Sequence, residues 1–154
     1  MIEYRRAELN DMGELLHIRI DFLYDAKNIS SPDEEDIIRK ANEEFLKEAL
    51  IDGSFVQWLA VEEGKIVATS SVSFYRLPPN RGLPTGKAAY IGNMYTYPEY
   101  RNRGIASKLL SLAVEEAKNC GCKKVLLNAT DMGRPIYEKF GFTDSKDDMV
   151  YWIL

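Results

Sequence analysis

The sequence predicts an α/β (α+β) fold in which a mixed, mostly antiparallel central sheet is flanked by helices. Three observations carry that expectation. Helix-period and strand-like segments follow in the order β-α-α-β-β-β-α-β-α-β-β, with strands outnumbering helices. Two consecutive strand-like runs, residues 55–62 and 65–75, are separated only by Glu63-Gly64, a hairpin turn for which a fully parallel sheet has no place. The stretch 104–119 sets Ile105, Ala106, Leu109, Leu110, Leu112, Ala113 and Ala117 on a face wide enough to cover a sheet. No internal repeat or linker divides the chain, so residues 1–154 are expected to form one domain, near the usual ~150 residues.

Taken in order, residues 2–7 alternate enough for a first strand. From residue 8 to 24, Met12, Leu15, Leu16, Arg19, Phe22 and Leu23 follow a helical period, with Asn10 and Asp11 at its start as caps. After a polar loop, Ser31-Pro32-Asp33-Glu34 opens a second helix: Ser31 as cap, Pro32 at the first helical position, acids in the first turn. Its apolar face runs through Ile37, Ala41, Phe45, Leu46 and Leu50 to Asp52-Gly53. The hairpin follows, then a loop over 76–86 with Pro78, Pro79, Gly82 and Pro84, and a strand over 87–97 that stops at Pro98. The long helix ends at Gly121. A short buried strand is expected over 124–129, a short helix over 134–140, and two last strands over 141–145 and 149–154.

Composition narrows the function. Hydrophobic residues make up 45% and charged residues 29%, the balance of an ordered globular chain. No apolar run reaches the ~18 residues of a membrane span. Met1-Ile2-Glu3-Tyr4-Arg5-Arg6 carries charge where a secretory leader is apolar. Cys120 and Cys122 stand one residue apart, too close for an ordinary disulfide and too few for structural zinc. The expected setting is a reducing cytoplasm, without a membrane partner. His17 is the single histidine, so a Ser-His-Asp enzyme has only that residue as base and a His-rich metal site has nothing to build on. No metal is expected. The net charge of −4 argues against a nucleic-acid partner. Charge is uneven, however: residues 31–50 hold seven acidic and three basic side chains, residues 98–124 six basic and three acidic. Positive charge gathered around one glycine-containing turn of an acidic protein points to an anionic ligand there.

That turn is Pro98-Glu99-Tyr100-Arg101-Asn102-Arg103-Gly104-Ile105-Ala106-Ser107. A strand ends, a turn rich in Arg and Gly follows, and a strongly amphipathic helix begins at once. The free amides of a helix's first turn, with the positive end of its dipole, make an anion site. Gly104 and Ala106 leave the backbone approachable, and Arg101 and Arg103 add forked donors. The segment lacks Gly-Lys-Ser/Thr and is not Gly-x-Gly-x-x-Gly, so neither a P-loop nor a dinucleotide fingerprint fits.

Arg101-x-x-Gly104-x-Ala106, after a strand, resembles the Arg/Gln-x-x-Gly-x-Gly/Ala motif of the GNAT superfamily of N-acetyltransferases. Tyr137-Glu138-Lys139-Phe140-Gly141-Phe142 resembles that family's Tyr-x-x-x-Gly-Phe segment, and the intervening helix and strand fit its spacing. The resemblance implies a GNAT-like fold over 1–154 and acetyl-CoA as cosubstrate, lying in a V-shaped gap between the strand before the motif and the strand after the long helix. It implies that Met94, Tyr95 and Thr96 border the pantetheine arm, with Met94 and Thr96 offering backbone groups as a third strand does. The amides of Arg101, Asn102, Arg103, Gly104, Ile105, Ala106 and Ser107 then cradle the pyrophosphate. Asn128 stands near the pantetheine or, equally, caps the next helix. Tyr137 is the implied general acid for the departing CoA.

The implied chemistry is direct attack of a neutral amine on the thioester, with a strand amide near Met94 meeting the oxyanion and the Tyr137 phenol, protonated at neutral pH, donating to sulfur. Many members place a Glu on the strand before the motif as base. Here Tyr90-Ile91-Gly92-Asn93-Met94-Tyr95-Thr96 has no acid, so proton removal is expected through water held by Asn93, Tyr90 or backbone carbonyls, or through a helix acid such as Asp25. Candidate acceptor-lining residues are Tyr24, Asp25, Trp58, Phe74, Tyr75 and Asn93. The acceptor expected is a small-molecule or peptide amine, and a homodimer is one possible state. The alternative is a non-catalytic acyl-CoA sensor. Because the resemblance implies transfer without an enzyme thioester, Cys120→Ser and Cys122→Ser are expected to retain activity. An acetylated cysteine whose mutation abolishes turnover would contradict this.

Overall fold

The computed structural model describes residues 1–153. Five strands form one sheet in the order β1-β2-β3-β4-β5: β1 (Glu3–Arg6), β2 (Phe55–Glu62), β3 (Lys65–Arg76), β4 (Lys87–Thr96) and β5 (Lys124–Leu127). Neighbours from β1 to β4 are antiparallel, and β4 and β5 are parallel. The helices are α1 (Met12–Asp25), α2 (Pro32–Asp52), α3 (Ile105–Asn119) and α4 (Arg134–Phe140). One face of the sheet carries α1 and α2, packed through Leu15, Ile18, Leu46 and Leu59. The other carries α3 and α4, packed through Val72, Ile91, Leu110 and Tyr137.

The local signals explain most boundaries. The Ser31 hydroxyl oxygen accepts from the Glu34 amide, Pro32 opens α2, and Gly53 closes it in the left-handed region. At the start of α1, Leu9–Asp11 forms a tighter turn, and Asp11 accepts from the Glu8 amide and from Arg5 instead of capping the helix. Helix α3 is held by more than its apolar stripe. Glu116, buried, accepts from Arg6 Nε at 2.5 Å and from Trp58 Nε1 at 3.2 Å, which ties α3 to β1 and β2.

Two expected strands are absent. Beyond Phe142 the chain runs beside β5 without pairing, and neither 141–145 nor 149–153 forms a strand; residue 154 lies outside the described residues. The run Met149-Val150-Tyr151-Trp152-Ile153 has strand-like composition, but Met149 is 97% and Ile153 92% exposed. Strand propensity expresses itself on a half-buried surface, and this run buries nothing.

The irregularity that positions the site lies in β4. Thr69 pairs with Tyr95 and Ser71 with Gly92, so the single residue Ser70 faces both Asn93 and Met94. This is a β-bulge, and Asn93 takes a φ of 50°, a left-handed conformation that Asn tolerates better than most residues. Pairing with β5 stops at Ile91↔Leu127, just before the bulge. From there β4 runs on to Thr96 paired with β3 only, and a gap opens between β4 and β5. Among the described residues no helix is long and apolar enough to cross a membrane.

Because Leu110 is wholly buried at the centre of the α3 face, Leu110→Ala is expected to cost about 2–5 kcal/mol. Urea unfolding should show a lower midpoint at an unchanged slope; a loss below about 1 kcal/mol would mean α3 is not docked as described.

Candidate active site

The gap has a backbone edge on one side. Tyr97 gives its amide to the Val67 carbonyl at 3.1 Å, and alternation along the strand then turns the peptide groups of Met94 and Thr96 the other way, into the gap. The Thr96 carbonyl there is already engaged, accepting from Arg101 Nε at 2.9 Å. What remains is both backbone groups of Met94 and the Thr96 amide.

At the end of β4 the chain prepares an anion site. Asn102 (φ 60°) and Gly104 (φ 76°) are left-handed, and such alternation curls successive amides into a concavity. Gly104 is the residue before α3, no side chain caps that helix, and its first turn has no acid. The first intrahelical bond runs from Lys108 to the Gly104 carbonyl, so the amides of Ile105, Ala106 and Ser107 have no partner within the helix. A Cβ built on Gly104 meets nothing within 4 Å, so the space in front of the turn is open.

The two arginines of the turn play different parts from a pair of free cations. Arg101 braces the gap: besides Thr96 it lies 3.9 Å from Asp25 and over the Tyr95 ring. Arg103 turns away to Glu62 at 3.1 Å and stacks on Tyr100. Positive charge at the turn therefore comes first from the helix terminus.

On the α3 and α4 face, Tyr137 and Asn128 line one hollow with Tyr90, Leu127 and Arg134. Tyr137 is buried, and burial raises its phenol above the ordinary value, so it stays protonated and able to donate at neutral pH. Its ring is fitted closely: a Cβ on Gly133 falls 2.9 Å from Cε2 and 3.3 Å from the hydroxyl oxygen.

On the opposite face α1 meets β4. The Tyr95 hydroxyl donates to Asp25 at 2.5 Å and the Tyr97 hydroxyl to Asp21 at 2.6 Å. Burial first, and these carboxylates second, hold both phenols well above their usual range. Asn93 accepts from Arg19 of α1 at 2.5 Å. His17 is exposed, 3.4 Å from Asp21.

Not every acceptor candidate comes to the gap. Asp25 and Asn93 do. Tyr24 is turned to Glu35 of α2. Trp58 sits on the α3 face with Arg6 and Glu116. Phe74 and Tyr75 pair with Ala89 and Ala88, at the closed end of β4 and β5. Strand register and face, which a list of aromatic residues does not contain, set Trp58, Phe74 and Tyr75 away from the gap. Arg19 and Gly133 were missing from the candidates. Arg19 carried a signal, since a charged residue on a helix's apolar stripe is out of place.

The arrangement suits an extended ligand with a strand-like arm along Met94 and Thr96 and an anionic group at the start of α3. The fold is shared with solved structures. The chain is 34% identical to a predicted acetyltransferase with acetyl-CoA from Clostridium acetobutylicum, over 98% of this chain and 96% of that one, with a TM-score of 0.87. It is 27% identical to a GCN5-related N-acetyltransferase from Ralstonia eutropha JMP134, over 99% of both chains, with a TM-score of 0.86. It is also 30% identical over 63 residues to the thialysine N-epsilon-acetyltransferase of Mus musculus, 41% of this chain and 37% of that protein. With the glucosamine 6-phosphate N-acetyltransferase of Trypanosoma brucei brucei it shares 30% over 79 residues, 51% and 52% of the two lengths. These matches span about half or less of the curated relatives. The model of the Acetyltransferase (GNAT) family matches residues 15–142, and the chain belongs to the GNAT acetyltransferase family.

Proposed function

We propose that this chain moves the acetyl group of acetyl-CoA to a small primary amine by direct attack in a ternary complex. The observation that carries the reading is the gap itself. A free strand edge at Met94 and Thr96, an uncapped α3 terminus and a protonated phenol at Tyr137 surround one opening in the sheet. Pantetheine lies along the β4 edge, and the pyrophosphate meets the amides from Asn102 to Ser107 with Gly104 leaving it room; the Arg101 amide, expected to join them, donates to the Pro98 carbonyl at 3.2 Å instead. Curated relatives named for thialysine and glucosamine 6-phosphate support a small amine as acceptor.

In the reaction the neutral amine attacks the thioester carbonyl. The Met94 amide, pointing into the gap, donates to the oxyanion as it develops. Collapse breaks the carbon–sulfur bond, and Tyr137 donates its proton to the leaving sulfur. Both carboxylates nearest β4 on the α1 face, Asp21 and Asp25, are held by tyrosine hydroxyls, so the amine's proton leaves through water at the Asn93 bulge.

Thiol release from acetyl-CoA, measured with and without mixed amines, tests the reading: amine-dependent release supports it, and tight binding without release supports the sensor. Tyr137→Phe keeps the ring and removes the donor. It should lower kcat roughly 10–100-fold, the low end for a lost general acid, while cofactor affinity changes by less than about 1 kcal/mol. Gly133→Ala, whose backbone (φ −84°) tolerates a side chain, should push the Tyr137 ring aside and lower kcat in the same direction. Because both act on one hydroxyl, the double variant should lose less than the product of the two. Wild-type kcat in Tyr137→Phe would reduce Tyr137 to packing.

A further inference from the structure

Arg19 sits on α1 between buried Ile18 and Ile20, on the stripe that faces the core. Its Nη1 donates to Asn93 Oδ1, and its guanidinium lies 5.6 Å from the centroid of the Phe22 ring. Its Nε is shut off from water and has no hydrogen-bond partner. Burial disfavours its charge, and no carboxylate acts to restore it. Other arginines of the chain are treated differently. Arg5 is paired with Asp11, Arg6 with Glu116, Arg39 with Glu35, Arg103 with Glu62 and Arg134 with Asp144.

Carboxylates are not lacking on α1. Asp21 and Asp25 lie within two turns of Arg19, yet they are taken by Tyr97 and Tyr95. Arg19 is half-buried, with its Nε cut off from water, and a guanidinium drawn partly out of water without a counter-charge costs stability. A ligand that brings the missing charge would offset that cost. The position fits such a ligand. Asn93 is the bulge residue at which β4 leaves β5, so Arg19 stands at the α1 mouth of the gap. Tyr137 belongs to the opposite face. A gap through the sheet lets the two substrates meet from opposite sides.

We propose that Arg19 recognises the acceptor: its guanidinium pairs with a carboxylate or phosphate carried by the amine, at the α1 mouth of the gap and beside the Asn93 bulge. This inference rests on the acetyltransferase reading. It names an anionic amine as the substrate class. Arg suits the task, because its fork matches both carboxylate and phosphate oxygens.

Matched acceptors test it. Lysine and cadaverine differ by a carboxylate, glucosamine 6-phosphate and glucosamine by a phosphate, and the two pairs separate the two anion sources. The wild-type enzyme should favour the acidic member of at least one pair by tenfold or more in kcat/KM. Arg19→Gln should collapse that ratio to within threefold, with Arg19→Lys recovering part of it. Acetyl-CoA affinity, measured by calorimetry, should stay within threefold in both variants, which separates lost recognition from lost folding. Equal use of both members by wild-type protein, or a ratio unmoved in Arg19→Gln, would overturn the proposal. If no amine is acetylated, the acetyltransferase reading fails, and calorimetry of the same four compounds in the presence of CoA decides on Arg19. Tighter binding of an acidic member, lost in Arg19→Gln, upholds it; no such difference overturns it.

Discussion

One extra residue in β4 is the constraint on which the site depends. Where Asn93 and Met94 together face Ser70, the strand gains a kink and added twist, and its ladder with β5 ends at once. A regular parallel pair would have used the Met94 and Thr96 peptide groups to continue the sheet. The bulge leaves them directed at open space, bordered by the two layers of helices. Unpaired strand edges are usually protected; this one is kept short by Pro98 and occupied in part by Arg101.

The surroundings hold the gap open without filling it. Arg101 ties the end of β4 by its bond to the Thr96 carbonyl, with the Asp25 carboxylate and the Tyr95 ring beside it. The Tyr95–Asp25 and Tyr97–Asp21 bonds fasten α1 to the same strand. Asp21 and Asp25 are partly exposed, so each bond is screened by solvent, and it is their number on one strand segment that fixes its course. On the other face the Glu116 cluster anchors α3 to β1 and β2. The uncapped start of α3 is thereby held against the end of β4.

Much of this was legible in the chain. The Arg101 to Ser107 turn and the Tyr137 segment rest on local chemistry: a strand end, small residues and a helix start lie within a dozen positions, and short-range geometry settles where their backbone groups point. The distance of Trp58, Phe74 and Tyr75 from the gap was not legible, because their place depends on strand register and on which face each side chain takes. A one-residue bulge changes both. Arg19 was visible only as a misfit on an apolar stripe; that it lacks a counter-charge is a tertiary fact. The final strands failed for a related reason. Their composition is strand-like, but a strand needs a surface to bury, and Met149 to Ile153 have none.

Amide hydrogen exchange with and without acetyl-CoA tests the central claim, that the bulge-made gap and the α3 terminus hold the cofactor. The account predicts slowed exchange at Met94, Thr96, Ile105, Ala106 and Ser107 on addition of acetyl-CoA, with α2 unchanged. Protection confined to the other hollow beside β5, the one lined by Phe140, Thr143 and Asp147, with residues 94–107 unaffected, would contradict it.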